Sequence, residues 1–180
     1  MATKSNNTAA STSGNTKYLL LGLIFIGIIA IIIIFCGSWH RNTATVATCG
    51  VENLRLSAGQ QSGAAGTIYQ HIIVTNTGTS TCMMSGYPTV FLYGSNGYAL
   101  GGGAAAQPQP ALTTISLAPG GSAYTVVGYP QAGNFNPGVC SSTKSTSLKL
   151  YVPAAITPLE VPLEVAWCPG FSSTAMQAGS

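Results

Sequence analysis

Few side chains in this sequence are equipped for chemistry. After residue 45 there is one histidine, His71; the acids of the whole chain are Glu52, Glu160 and Glu164, and there is no aspartate. Acid–base and hydrolytic catalysis need paired carboxylates, or a nucleophile with a base and an orienting group. Glu160 and Glu164 share the polar side of one strand, two pleats apart, and read as solvated charges. A Ser–His–acid triad would have to join His71 to a distant glutamate. The chain therefore reads as a protein that is not an enzyme. His71, Met83 and Met84 have the donor types that select Cu(I), but one histidine and two adjacent methionines are not a spaced ligand set. No metal site and no cofactor is expected. Handling of copper or a small ligand stands as the alternative function.

Binding chemistry is better represented. Tyr69, Tyr87, Tyr93, Tyr98, Tyr124, Tyr129 and Tyr151 fall in a stretch with six charges, and Gly-Tyr-Pro occurs twice, at 86–88 and 128–130. Tyrosine supplies contact area at low entropic cost, and it is equally at home on the outer face of an ordinary strand. The candidate surface is Tyr69, His71, Tyr93, Tyr124 and Tyr151. Such a low-charge surface suits a carbohydrate, a wall polymer or another protein rather than an ionic ligand.

Cysteines come next. Cys49, Cys82, Cys140 and Cys168 form an even set at intervals of 33, 58 and 28 residues, without the CxxC pairs of zinc sites. Two disulfides are expected. Three pairings can be drawn; Cys49–Cys82 with Cys140–Cys168 is favoured because each pair brackets one half of the domain. Cys36 stands apart.

The elements that must position these residues begin with an anchor. Tyr18 to Cys36 (YLLLGLIFIGIIAIIIIFC) is 19 residues without a charge, about 28 Å as a helix. A lone segment in lipid satisfies its backbone only as a helix. Tyr18 and Trp39 sit at its ends, where aromatics favour the interface. The apolar core exceeds that of a cleaved signal peptide, and Phe35 before Cys36 does not fit a lipoprotein signal. Lys4, Lys17 and Arg41 flank the run and carry the whole net charge of +3, so the basic balance is no footprint of nucleic acid. The bias favours a cytoplasmic N-terminus, with a single pass through the plasma membrane and an extracytoplasmic domain. The resulting organisation is a disordered cytoplasmic tail over 1–17, a transmembrane helix over 18–36, a stalk over 37–48, a domain over 49–170 and a C-terminal tail over 171–180.

The domain reads as all-β. Strands are expected over 51–58, 66–76, 89–93, 98–100, 114–117, 122–129, 147–152 and 159–167. Asn96-Gly97 marks a hairpin and Ala118-Pro119-Gly120-Gly121 a reversal. Leu159, Val161, Leu163, Val165 and Trp167 share one face of the last strand, and Pro162 places it at a sheet edge. Gly101–Pro110 (GGGAAAQPQP) is expected to be a mobile loop. Seven to eight short strands without helical periodicity point to an immunoglobulin-like β-sandwich, preceded by a single N-terminal transmembrane helix.

Several of these residues also carry a resemblance. Cys49 with Leu54 and Leu56, Gly66 before a strand ending Thr75-Asn76-Thr77-Gly78, Cys82 leading to Gly86-Tyr87-Pro88, Leu117 through Ala123 (LAPGGSA), then Cys140 and Cys168 occur in the order found in domain-of-unknown-function family 4232. The chain resembles that family from about Cys49 to Cys168. The resemblance implies an exported, four-cysteine β-sandwich of the bacterial cell envelope, typical of actinobacterial proteins, and brings no catalytic residues. The Ile-rich anchor departs from the lipid-attachment signal of many members. The expected function is a membrane-anchored, non-catalytic module that binds, or interacts structurally with, an envelope polymer or protein partner.

Overall fold

The computed structural model describes residues 27–29 and 46–179. The chain divides into two units, Met1–Thr45 and Val46–Ser180. In the first, Gly27–Ile29 are helical; the expected tail over 1–17, the rest of the span over 18–36, Cys36 and residues 37–45 of the expected stalk lie outside the described residues. Among the described residues no helix is long and apolar enough to cross a membrane.

The second unit is all-β, with single 3-10 turns at Val51–Asn53 and Ala132–Asn134. Its strands are β1 (Leu54–Ala64), β2 (Thr67–Asn76), β3 (Cys82–Met84), β4 (Thr89–Tyr93), β5 (Ala105–Ala106), β6 (Ile115–Leu117), β7 (Ser122–Pro130), β8 (Ser147–Tyr151), β9 (Leu159–Pro162), β10 (Ser172–Ser173) and β11 (Gln177–Ala178). There are eleven rather than seven to eight because β3, β5, β10 and β11 have two or three residues each, too short to show alternation, while the expected strand over 98–100 is reduced to an isolated bridge between Ala99 and Tyr93. One sheet runs β1-β2-β7-β10-β5, with β11 also on β7; β3 pairs β6; and β4-β8-β9 form a third.

Alternation explains the core. Ile72 and Val74 of β2, Val90 and Leu92 of β4, Val127 of β7, and Leu148 and Leu150 of β8 are almost fully buried and belong to one cluster. The intervening residues therefore lie on the outer faces of their sheets. The β1–β2 hairpin turns at Ala65 and Gly66, both with positive φ. β1 starts at Leu54 rather than Val51 and carries a bulge between Ala58 and Gln61. There the buried Gln70 amide donates to the Gly59 carbonyl at 2.7 Å, satisfying a group the ladder has released. Buried Asn76 donates to the Ser80 and Leu117 carbonyls and accepts from the Gly78 N–H. It thereby ties the end of β2 to β6.

Disulfides join Cys49 to Cys82 and Cys140 to Cys168. Each closes a loop in the unfolded chain and contributes about 2–4 kcal/mol on the chain-entropy view. The last residues of the expected stalk already belong to the domain. Thr48 bridges Met83, and the Met83 N–H donates to Ala47.

Three sequence expectations are corrected. Gly101–Pro110 is tied down rather than a mobile loop. Leu100 and Ala104 donate to Leu92 and Val90 of β4, then Ala105 and Gln107 donate to Phe171 and Ser173. The segment crosses from one sheet to the other. Its glycines serve close approach: a methyl at Gly101 would run into the Trp167 ring, and one at Gly103 would lie 3.0 Å from Phe91. The expected strand over 159–167 stops at Pro162. Beyond it Ser145 Oγ donates to the Leu163 carbonyl and accepts from the Val165 N–H, while Ser141 Oγ accepts from the Trp167 N–H. Side-chain hydroxyls thus replace part of the backbone ladder. Finally, residues 171–179 of the expected tail over 171–180 are not a tail. Phe171, Ser173, Ala175 and Met176 are buried, and β10 and β11 both pair with β7.

Candidate functional site

The five surface candidates are divided between two sheets. Tyr69 and His71 of β2 and Tyr124 of β7 lie on the outer face of the β1-β2-β7 sheet. Tyr93 of β4 and Tyr151 of β8 lie on that of β4-β8-β9. Alternation assigned each residue an outward face but not a shared one.

On the first face, His71 is opposite Val126 and Ile73 is opposite Tyr124, which puts His71 and Tyr124 on a diagonal. Their rings stack with centroids 4.6 Å apart and planes 4° from parallel. Two strand residues along, Tyr69 is opposite Gly128. A methyl on Gly128 would sit 3.3 Å from the Tyr69 ring and 2.8 Å from Ser172 Oγ. The missing side chain leaves a floor on which the Tyr69 ring lies. Tyr69 is itself exposed. Uncharged groups surround these rings: Ser57 and Ser62 from β1, Ile73 and Thr75 from β2, Val126 from β7. Arg55 is the single charged residue of β1, β2 and β7. Such a face offers ring surfaces and hydroxyl or amide groups to a neutral ligand.

The second face is occupied by its own contacts. The Lys149 ammonium stands 4.3 Å from the centre of the Tyr93 ring and 3.9 Å from Glu160. Phe91 meets Tyr151 edge-on at 6.5 Å. The Tyr151 phenol is raised above its ordinary 10.0, first by desolvation and then by the neighbouring Tyr93 phenol. Phe91 was missed in the sequence, although it alternates with Tyr93. The Trp167 indole N–H donates to the Gly102 carbonyl, 65 residues away, and no local signal announces that contact.

Other candidates separate. Met84 is buried in the core and Met83 half-buried on β3, while His71 belongs to β2 of another sheet. The structure does not assemble the three as ligands, and among the described residues no three His, Cys, Asp or Glu side chains are grouped to hold a metal. Glu160 is engaged with Lys149, and Glu164 is exposed beyond the end of β9. The two Gly-Tyr-Pro copies are unlike. Tyr87 is half-buried, whereas Tyr129 is in the core, its hydroxyl accepting from Gln61 at 2.7 Å. Burial raises the Tyr129 pKa, and the Gln61 bond opposes the rise.

No curated protein and no solved structure matches the chain. A family model does match, over residues 49–179, which includes both disulfides and the C-terminal strands. The chain belongs to that family, the domain of unknown function DUF4232.

Proposed function

We propose that this protein is a single-pass, membrane-anchored module of the bacterial cell envelope, with a cytoplasmic N-terminus and an extracytoplasmic domain that binds and does not catalyse. The uncharged run over 18–36 supports the anchor; the two disulfides favour an oxidising compartment outside the cytoplasm. The sheets around one core are read as an immunoglobulin-like sandwich. The ligand is a neutral envelope polymer, taken on the β1-β2-β7 outer face. One observation carries this reading: the stacked His71–Tyr124 pair and the glycine-floored Tyr69 stand on a face with one charge, at its edge.

Two measurements test it. Intact mass of the protein from its native membrane should equal the full chain less four protons, with four cysteines alkylated only after reduction; a truncated chain or a lipid on Cys36 sinks the anchor. Full-length protein in detergent should sediment with purified, insoluble wall polymer. His71→Ala combined with Tyr124→Ala should remain in the supernatant. Equal sedimentation of the double variant, or none by the wild type, removes this face as the site.

A further inference from the structure

We infer that the ligand of the β1-β2-β7 face is a glycan chain, with one sugar ring seated on Tyr69 beside the Ser172 hydroxyl and the chain running along β2 and β7. This rests on the binding function proposed above and names the class of its ligand. Strand register carries it. Ser62 is opposite Tyr69, Tyr69 is opposite Gly128, and Gly128 is opposite Ser172. Cross-strand partners stand on one face, so β1, β2, β7 and β10 present a single row: hydroxyl, ring, gap, hydroxyl. The gap brings the last hydroxyl to the ring. The position that a Gly128 Cβ would take is 3.3 Å from Tyr69 Cε1 and 2.8 Å from Ser172 Oγ. Elsewhere on the sheet, Thr75 and Ser122 are also opposite each other, and their hydroxyls bond at 3.0 Å. Ser62 and Ser172 are three strands apart, about 14 Å, and cannot satisfy one another in that way.

The row selects a ligand class. A sugar ring has an apolar C–H face that packs on an aromatic ring, and hydroxyls at its rim that donate and accept as serine does. An extended peptide would instead need open backbone groups at a sheet edge. β2 and β7 are interior strands, each paired on both sides, and offer none. A second row lies four residues along. Ser57 is opposite Ile73, Ile73 is opposite Tyr124, and Tyr124 is opposite Gln177. Its tyrosine carries the His71 stack. The two rows are about 13 Å apart along the strands, beyond the reach of one sugar but not of a chain. Ser172 and Gln177 both belong to the short C-terminal strands, so β10 and β11 supply the polar groups beside both tyrosines.

The test uses full-length protein in detergent and three competitors made from the same insoluble wall polymer: peptide-free oligosaccharides from partial acid hydrolysis, monosaccharides from complete hydrolysis, and peptides released by protease. The oligosaccharides should displace the protein from the polymer; monosaccharides and peptides at equal mass concentration should not. The oligosaccharides, labelled at their reducing ends, are then titrated with protein and followed by fluorescence anisotropy. Ser172→Ala, which removes one oxygen from a half-buried outer-face position, should bind them about 3- to 10-fold more weakly. Lys149→Ala on the other face should bind as the wild type does. Displacement by peptides and not by oligosaccharides overturns the glycan and leaves the binding face standing, as does sedimentation that none of the three relieves. Equal potency of monosaccharides overturns the chain that spans both rows. Unchanged affinity in Ser172→Ala overturns the seat beside Tyr69. A wild type that does not sediment with the polymer overturns the proposed function and the glycan together.

Discussion

The two outer faces of the domain use the same residue types for opposite ends. On the β4-β8-β9 face the aromatics answer one another: Lys149 stands over Tyr93 and beside Glu160, and Phe91 meets Tyr151. Alongside, Trp167 is bonded to Gly102. On the β1-β2-β7 face His71 pairs with Tyr124 and Thr75 with Ser122, and Tyr69 lies exposed over glycine. The lesson is that aromatic content alone does not mark a binding surface. What distinguishes the faces is how far their groups have already satisfied one another. A satisfied face contributes to stability, whereas an unsatisfied one has contacts left to give a ligand.

The comparison can be broken by substitution. The largest expected effect is on the satisfied side. Gly101→Ala forces a methyl against the Trp167 ring and should lower unfolding free energy by about 1–3 kcal/mol, with a red shift of tryptophan emission. Unchanged urea unfolding would show that the 101–103 strap is free to move. On the open face, Gly128→Ala meets the ends of movable side chains, so its cost should be about 1 kcal/mol. Its larger consequence should be weaker sedimentation with wall polymer, because Tyr69 is lifted from its floor. A double-mutant cycle on His71 and Tyr124 should give a coupling of about 0.5–1.5 kcal/mol; zero coupling would mean that the stack contributes nothing in solution. Lys149→Ala should cost about 1 kcal/mol or less, since its ion pair and ring contact are partly solvated, and should leave polymer binding intact.

The smallest effect is confined to alkali. Burial holds the Tyr129 phenol above 10.0 in the folded chain. Its contribution is complete below the unfolded value and is lost as pH rises through the folded one. The thermal midpoint should therefore fall as pH rises above the ordinary phenol value of 10.0, with Tyr129→Phe flattening the decline. An identical decline in that variant would assign the loss to other groups.

Much of the strand layout was readable because alternation is a property of residues two apart. Leu148, Leu150 and Val152 of the β8 region and Val90 and Leu92 of β4 are buried as their spacing required. Asn96-Gly97 marks a reversal: the Gly94 N–H donates to the Tyr98 carbonyl, with Gly97 at positive φ. The Cys49–Cys82 and Cys140–Cys168 pairing is one of three that spacing leaves open. The failures share a cause. The glycine run at 101–103 resembled a flexible linker because the rings it packs on come from residues 91 and 167. The strand at 159–167 looked continuous because its apolar alternation persists, while hydroxyls of Ser141 and Ser145 take over part of its hydrogen bonding.

The sequence by itself determined the β character of the domain, its turns, which side chains point outward and how few groups are available for catalysis. Each of these follows from local geometry or composition. Only the tertiary structure decided that Tyr69, His71 and Tyr124 share one face while Tyr93 and Tyr151 occupy another. It likewise decided that residues 171–179 lay Met176 in the core beside strands from much earlier in the chain. Sheet membership depends on pairing between segments tens of residues apart, and the side-chain pattern within one strand carries no record of which strand will lie beside it.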